Sequence, residues 1–248
     1  MNTQPYQEII HIDGNDIKFK IEHNNTKTSS ISIKNGFFLI TISTLLQGVQ
    51  FEKQLMEFKK WAIKQLKKKP NLLTVLASVQ YQHEDTITLA GNVFTLNIYP
   101  TCGAVSQGKI DKERKLFNLF LPVNLSEEKR LENARYLVVT LAKRLCLPSM
   151  TKRVHYFNDL YFKKPIAKIN IRDKTTSWGS CSNSGSLNMS VNLLKAPVAV
   201  IDYVIVHELA HLIEFNHSDR FWAIVANVLP NYLEFEKDLD DNGFLYRF

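Results

Sequence analysis

Cysteine is scarce and scattered in this sequence. Cys102, Cys146 and Cys181 are the only three in 248 residues, and no two stand in a CxxC pair. An odd, dispersed set gives no basis for a disulfide framework or for a zinc site built of four thiolates. Long apolar runs are missing too, and none approaches the ~20 residues that a membrane helix needs. The segment Met1–Gly14 carries Asn2, Gln4, Gln7, Glu8, His11 and Asp13, where a secretory signal would need a positive start and an apolar block. The expected location is the cytoplasm, with no membrane contact. No internal repeat and no low-complexity tract is visible.

What is present is ordinary for a globular protein: 45% apolar and 22% charged residues, in a chain long enough for one large domain or two small ones. The formal net charge is +7. Much of the excess sits in one run, Lys59, Lys60, Lys64, Lys67, Lys68 and Lys69, with Trp61 as its one aromatic. Such a run is either a solvated helix face or a patch for a polyanion such as nucleic acid or a nucleotide.

The first 120 or so residues read mostly as strands. Ile17, Phe19 and Ile21 alternate with charged residues. Ile31 and Ile33 lead into Asn35-Gly36, a hairpin turn pair, and Phe38, Ile40 and Ile42 return. Ile87 and Leu89 approach Gly91-Asn92, followed by Phe94, Leu96 and Ile98, and Leu116–Leu121 is a further strand. Two helices interrupt this pattern. One covers about Val49–Lys69, with Phe51, Leu55, Phe58, Ala62 and Leu66 at helical spacing. The other is capped by Ser126 and runs to about Leu145, where Leu147-Pro148 closes it. Beyond residue 150, Ala167–Arg172 and Leu187–Leu193 alternate as two half-buried strands around the turn-rich stretch Trp178–Gly185, and a long helix starts near Pro197.

Residues 207–211 read His-Glu-Leu-Ala-His inside a strongly apolar helical stripe, Val204, Ile205, Val206, Leu209, Leu212 and Ile213. Positions i and i+4 of a helix lie about 40 degrees apart, so both imidazoles face one point. Neutral imidazole is a good zinc ligand, and Glu208 stands where a carboxylate can take a proton from a zinc-activated water. A catalytic zinc usually has three protein ligands and an open position. His217 is the expected third. A continuous helix would carry it about 120 degrees off the metal face, so the helix should stop between Phe215 and Asn216, with Asn216 left-handed. Ser218 then caps the next helix, which carries Phe221, Trp222, Val225 and Leu229. Of seven histidines, three fall between 207 and 217, and His11, His23, His83 and His155 are isolated. Glu214, Glu234 and Glu236 are weaker candidates for the third ligand, and the segment holding Glu234 and Glu236 reads as a solvated helix. Cys181 reads as a small turn residue.

The stretch Ile171-Arg172-Asp173, Trp178-Gly179-Ser180-Cys181-Ser182, Gly185, Leu187-Asn188, Pro197, Asp202–Leu212, Asn216-His217-Ser218 and Phe221-Trp222 closely resembles the YgjP-like metallopeptidase family, over roughly residues 165–232. The resemblance implies zinc dependence, kinship with the SprT and minigluzincin types, ligands at His207, His211 and His217, and a base at Glu208. The family commonly has an Arg just before the Trp-Gly-Ser-Cys-Ser run, and Ser177 holds that place here.

The expected fold is α+β. A β-rich N-terminal region with two helices would span residues 1–150. A zincin-like catalytic region with a small sheet and a metal-binding helix would span 151–248. The alternative is a single α+β unit. The expected function is a zinc-dependent hydrolase of the metallopeptidase type acting on a peptide or protein, with Arg172, Tyr203 or Tyr232 as oxyanion donor and the strand Leu187–Leu193 as a possible edge for an extended peptide. Two alternatives stand beside it: a zinc hydrolase of a nucleotide phosphoanhydride, and a nucleic-acid-associated SprT-like protease using the lysine-rich helix. A structural zinc site would need a fourth protein ligand, and the sequence offers three.

Overall fold

A computed structural model describes residues 4–34, 36–76, 81–174 and 176–248. The chain divides into two compact units, residues 1–80 and 81–248. In the first, β1 (Tyr6–Ile12), β2 (Asn15–Asn24), β3 (Ser30–Lys34) and β4 (Phe37–Ser43) form a sheet of order β1-β2-β4-β3, followed by α1 (Val49–Lys68) and the short α2 (Leu72–Leu76). β1 and β2 are antiparallel across Asp13-Gly14, whose φ values of 48° and 82° are the paired positive angles of a tight hairpin. β2 runs parallel to β4 in a register that sets Phe19 beside Phe38 and Ile21 beside Ile40. All four are fully buried, and the two Phe rings stack at 5.3 Å. Helix α1 packs on β4 and buries Leu55, Ala62 and Leu66. Gly36 of the expected second turn has φ 88°, and its partner Asn35 lies outside the described residues.

The second unit opens with the same topology. β5 (Asp85–Leu89), β6 (Asn92–Thr101), β7 (Gln107–Asp111) and β8 (Leu116–Pro122) take the order β5-β6-β8-β7 with the same strand directions, and a helix, α3 (Glu127–Phe157), follows. The hairpin pair Ala90-Gly91 again has positive φ, 47° and 78°. The buried triplets Ile17/Phe19/Ile21 and Phe38/Ile40/Ile42 recur as Phe94/Leu96/Ile98 and Phe117/Leu119/Leu121. Leu96 pairs with Phe117 as Phe19 pairs with Phe38. The chain therefore contains a structural repeat that the sequence reading missed. What is shared is a turn glycine and a two-residue period, and apolar side chains exchange freely within that pattern.

Ser126 caps α3 as expected, accepting from the Lys129 N–H at 3.4 Å. The helix does not close at Pro148, which sits inside it. Proline removes one backbone hydrogen bond, a local penalty of ~3 kcal/mol in a helix interior. Cys146, Met150, Val154 and Phe157 are buried on either side of it, and their packing outweighs that penalty. The helix thus runs unbroken through residue 150 and ends in a π-turn, Asn158–Phe162, held by the buried Asn158, which bonds Lys164 through both O and N.

A third sheet follows, β9 (Lys168–Arg172), β10 (Gly179–Cys181) and β11 (Ser186–Ser190), in the order β10-β11-β9. The expected strand 187–193 ends at Ser190 and continues as a 3-10 turn, Val191–Lys195. β11 lies between two partners, so it offers no free edge, and β10 is the edge strand on that side. Helices α4 (Val198–Ala210), α5 (Asp219–Val228) and α6 (Tyr232–Asn242) complete the unit. α4 is apolar nearly all round, with Ile201, Val204, Ile205, Val206 and Leu209 buried in the main core. The fold is α+β, and among the described residues no helix is long and apolar enough to cross a membrane.

Candidate metal centre

The last two turns of α4 carry His207 and Glu208, and His211 is the residue that ends the helix. The helix stops at Ala210, several residues before the expected break, and Asn216 is not left-handed. The exit is made by tightened turns: Leu212 N–H to Leu209 O at 3.0 Å and Ile213 N–H to Ala210 O at 3.0 Å. Shorter i to i−3 bonds are a common way to finish a helix without a left-handed residue. The chain then doubles back through Glu214–Asn216. Ser218 caps α5 by accepting from Phe221 N–H at 3.4 Å, as expected.

This path returns His217 to α4. Its Nε2 stands 3.1 Å from His207 Nε2, and one ligand nitrogen from each of His207, His211 and His217 lies within 4.8 Å of the others. His211 Nδ1 lies 3.1 Å from the Glu214 carbonyl. A carbonyl only accepts, so Nδ1 carries the proton and the Nε2 lone pair is left for a metal. The rings rest on Phe221, which is fully buried and lies 4.9, 4.6 and 4.8 Å from His207, His211 and His217. Trp222 stacks on His217 at 5.7 Å. The sequence reading placed Phe221 and Trp222 on the helix after Ser218 and in the family motif, and gave them no part in the metal site. Their cap-relative positions, three and four residues after Ser218, are the signal that puts them under the imidazoles.

Burial, then the neighbouring His211 and His217, lowers His207 to a pKa of about 4, and burial also lowers His211. Both are neutral donors at neutral pH, the form that binds metals. Burial raises Glu208 to about 7, opposed by the charge of Lys174. Glu208 is only 5% exposed, and its Oε2 and His207 Nδ1 are buried without a hydrogen-bond partner. Three inward-facing imidazole nitrogens beside an unsatisfied carboxylate oxygen fit a bound cation and a proton-transfer role, since buried polar groups are otherwise satisfied within the fold.

A cavity of about 630 Å³ opens over these groups, walled by β10, Trp178, Tyr203, Phe215 and Leu239. Gly179 of β10 lies against Glu208. A Cβ built there would run into the carboxylate oxygen and stand 2.7 Å from its Cγ. The next residue, Ser180, accepts from Lys174 Nζ at 2.9 Å, which brings one cation to this wall. Sequence reasoning singled out neither Gly179 nor Lys174. Of the expected oxyanion donors, Tyr203 lines the cavity, and Arg172 and Tyr232 are not among its lining residues. Burial and the charge of Glu236 push the Tyr203 hydroxyl far up, so it stays a donor. Cys181 also lines the cavity, but burial and the Glu208 charge raise its thiol to about 11, which leaves it a poor nucleophile. Glu234 and Glu236 lie on α6 and do not join the imidazoles, and Glu214 faces Arg220 at 3.8 Å.

The family model described as YgjP-like, metallopeptidase domain, matches residues 27–242. None of the curated proteins compared matches the chain. Among solved structures, the metallopeptidase zymogen of Pyrococcus abyssi abylysin is similar at 25% identity and a TM-score of 0.34, over 36% of this chain and 90% of that one.

Proposed function

Because the chain belongs to the YgjP-like metallopeptidase family and is a metal-dependent hydrolase, we propose that it is a zinc peptidase with His207, His211 and His217 as ligands and Glu208 as general base. The observation that carries this reading is the convergence of three imidazoles beside a buried carboxylate with a free oxygen, at the floor of an open cavity. When bound there, zinc would supply Lewis acidity toward a carbonyl oxygen and toward water. The chain's own groups do the rest. Glu208 Oε2 accepts the proton of the attacking water and returns it to the leaving amine. Phe221 and Trp222 hold the ring planes, and the Glu214 carbonyl fixes the His211 tautomer. Of the three expected oxyanion donors Tyr203 is the one that lines the cavity, and it would donate toward developing oxyanion charge.

Two features favour a peptide over a nucleotide. The cavity wall is an edge strand, β10, whose main chain suits an extended peptide. No Lys or Arg lines the cavity among the described residues, and the one cation brought to its wall, Lys174, is held on Ser180, whereas a phosphoanhydride calls for several cations around its oxygens.

Metal analysis tests the ligand set. Wild-type protein is expected to hold stoichiometric zinc and to lose peptide turnover on chelation, with recovery on adding zinc back. His217→Ala should weaken zinc by more than the ~10–100-fold that loss of a supporting hydrogen bond brings. Undiminished zinc in His217→Ala would remove this residue from the site, and turnover that survives complete metal removal would end the proposal.

A further inference from the structure

We propose that the exposed face of α1 is a nucleic-acid binding surface that grips the phosphate backbone. Residues 1–80 hold 11 of the 31 Lys and Arg and 6 of the 24 Asp and Glu, so this third of the chain carries +5 of the net +7. The excess is ordered on one helix. Lys53, Lys60, Lys64, Lys67 and Lys68 are all exposed. At about 100° per residue they fall in an arc of roughly 100°, opposite the buried Leu55, Ala62 and Leu66. Glu57 is the one acidic side chain of α1 in that arc. None of the five lysines has an ion pair among the described residues, whereas Lys59, outside the arc, is neutralised by Glu8.

The structural repeat supplies an internal comparison. The helix that follows the second sheet, α3, opens with Glu127 and Glu128 and commits Arg135 to Asp173 and Arg153 to Asp202. The other cations of α3, Lys129, Arg130, Lys143, Arg144 and Lys152, are spread over about 180° of that helix, so cations gathered in one narrow arc are not something this sheet-and-helix topology requires. From Lys53 to Lys68 the helix spans ~22 Å, the length of six or seven base-pair steps at ~3.4 Å each. Trp61, 40% exposed, flanks the arc and offers a ring to an unpaired base. A membrane surface fits less well. An interfacial helix buries its apolar face in lipid, and here that face is already buried on β4.

Fluorescence anisotropy of the full chain with short mixed-sequence DNA, duplex and single-stranded, across a salt series is the test. Five phosphate contacts predict a log–log salt slope near −4.5 on duplex, a ~500-fold loss of affinity between 50 and 200 mM salt. The triple change Lys60→Gln, Lys64→Gln, Lys67→Gln should flatten the slope by about 2.7, with an unaltered melting temperature showing that the fold is intact. Trp61→Ala should weaken the single strand more than the duplex. Lys109→Gln with Lys112→Gln, on the other unit, should leave the slope unchanged. No binding at low salt overturns the proposal. So does an equal loss from the control pair, or binding to anionic phospholipid vesicles without binding to DNA.

Discussion

Glu208→Gln is expected to keep its metal and lose peptide turnover by at least the ~10²–10⁴-fold that a positioned general base contributes. Glutamine preserves the shape of a side chain that is 5% exposed and leaves the three imidazoles untouched, but it cannot accept and return a proton. The same change should stabilise the metal-free protein, and the sign follows from the carboxyl's position. Its folded pKa of about 7 lies above the ordinary 4.5. Between those values the folded chain binds more protons than the unfolded chain, so stability falls as pH rises through that window. At pH 8 the ionised Glu208 thus destabilises the metal-free fold by about 3 kcal/mol. Metal-free Glu208→Gln should then melt above metal-free wild type at pH 8, and the gap should shrink toward pH 4.5. A variant that retains both zinc and full turnover would remove Glu208 from catalysis. Equal melting temperatures at both pH values would show that the carboxyl escapes its burial.

Gly179→Ala is expected to lower turnover ~100-fold, the scale of a 1 Å misplacement of a catalytic group, with zinc retained. An alanine Cβ there would stand 2.8 Å from the Glu208 Cδ and 2.7 Å from its Cγ, closer than non-bonded carbons approach. Either the carboxyl turns away or β10 moves outward, and the overpacking costs about 1–3 kcal/mol. If the glycine serves only to make room for Glu208, the double change Gly179→Ala, Glu208→Gln should lose no more turnover than Glu208→Gln alone, since coupled positions are not additive. Full activity in Gly179→Ala would mean the wall yields without disturbing the carboxyl. Additive losses would assign β10 a second role, such as holding substrate.

The parts of the site that could be read from the sequence are those set by local geometry. His207 and His211 are one helical turn apart, so any helix over this segment brings them together. Ser218 signals its own helix start through a single side-chain bond. The alternating strands β2 to β6 and β8 and the turn glycines Gly36 and Gly91 were legible for the same reason, whereas β1, β7 and the Asp13-Gly14 turn were not read. Errors appear where distant residues decide. Pro148 forecasts a helix end, but the core packed around Cys146 and Met150 carries the helix past it. The strand Leu187–Leu193 alternates as an edge strand would, yet it is shortened and paired on both sides. The division of the contacts after residue 80 is likewise a property of the folded chain that no local feature of the sequence marks.

The sequence by itself determined which residues are the candidates for the chemistry, because spacing along one helix and the ionisable groups on it are properties of the local chain. Tertiary structure alone decided that His217 returns to His207, that Phe221 underlies all three rings, that Gly179 makes room for Glu208, and that two dissimilar segments share one topology. Those facts depend on where the chain goes between elements and on which side chains the core can close around. That is settled by packing over the whole fold, and no window of residues contains it.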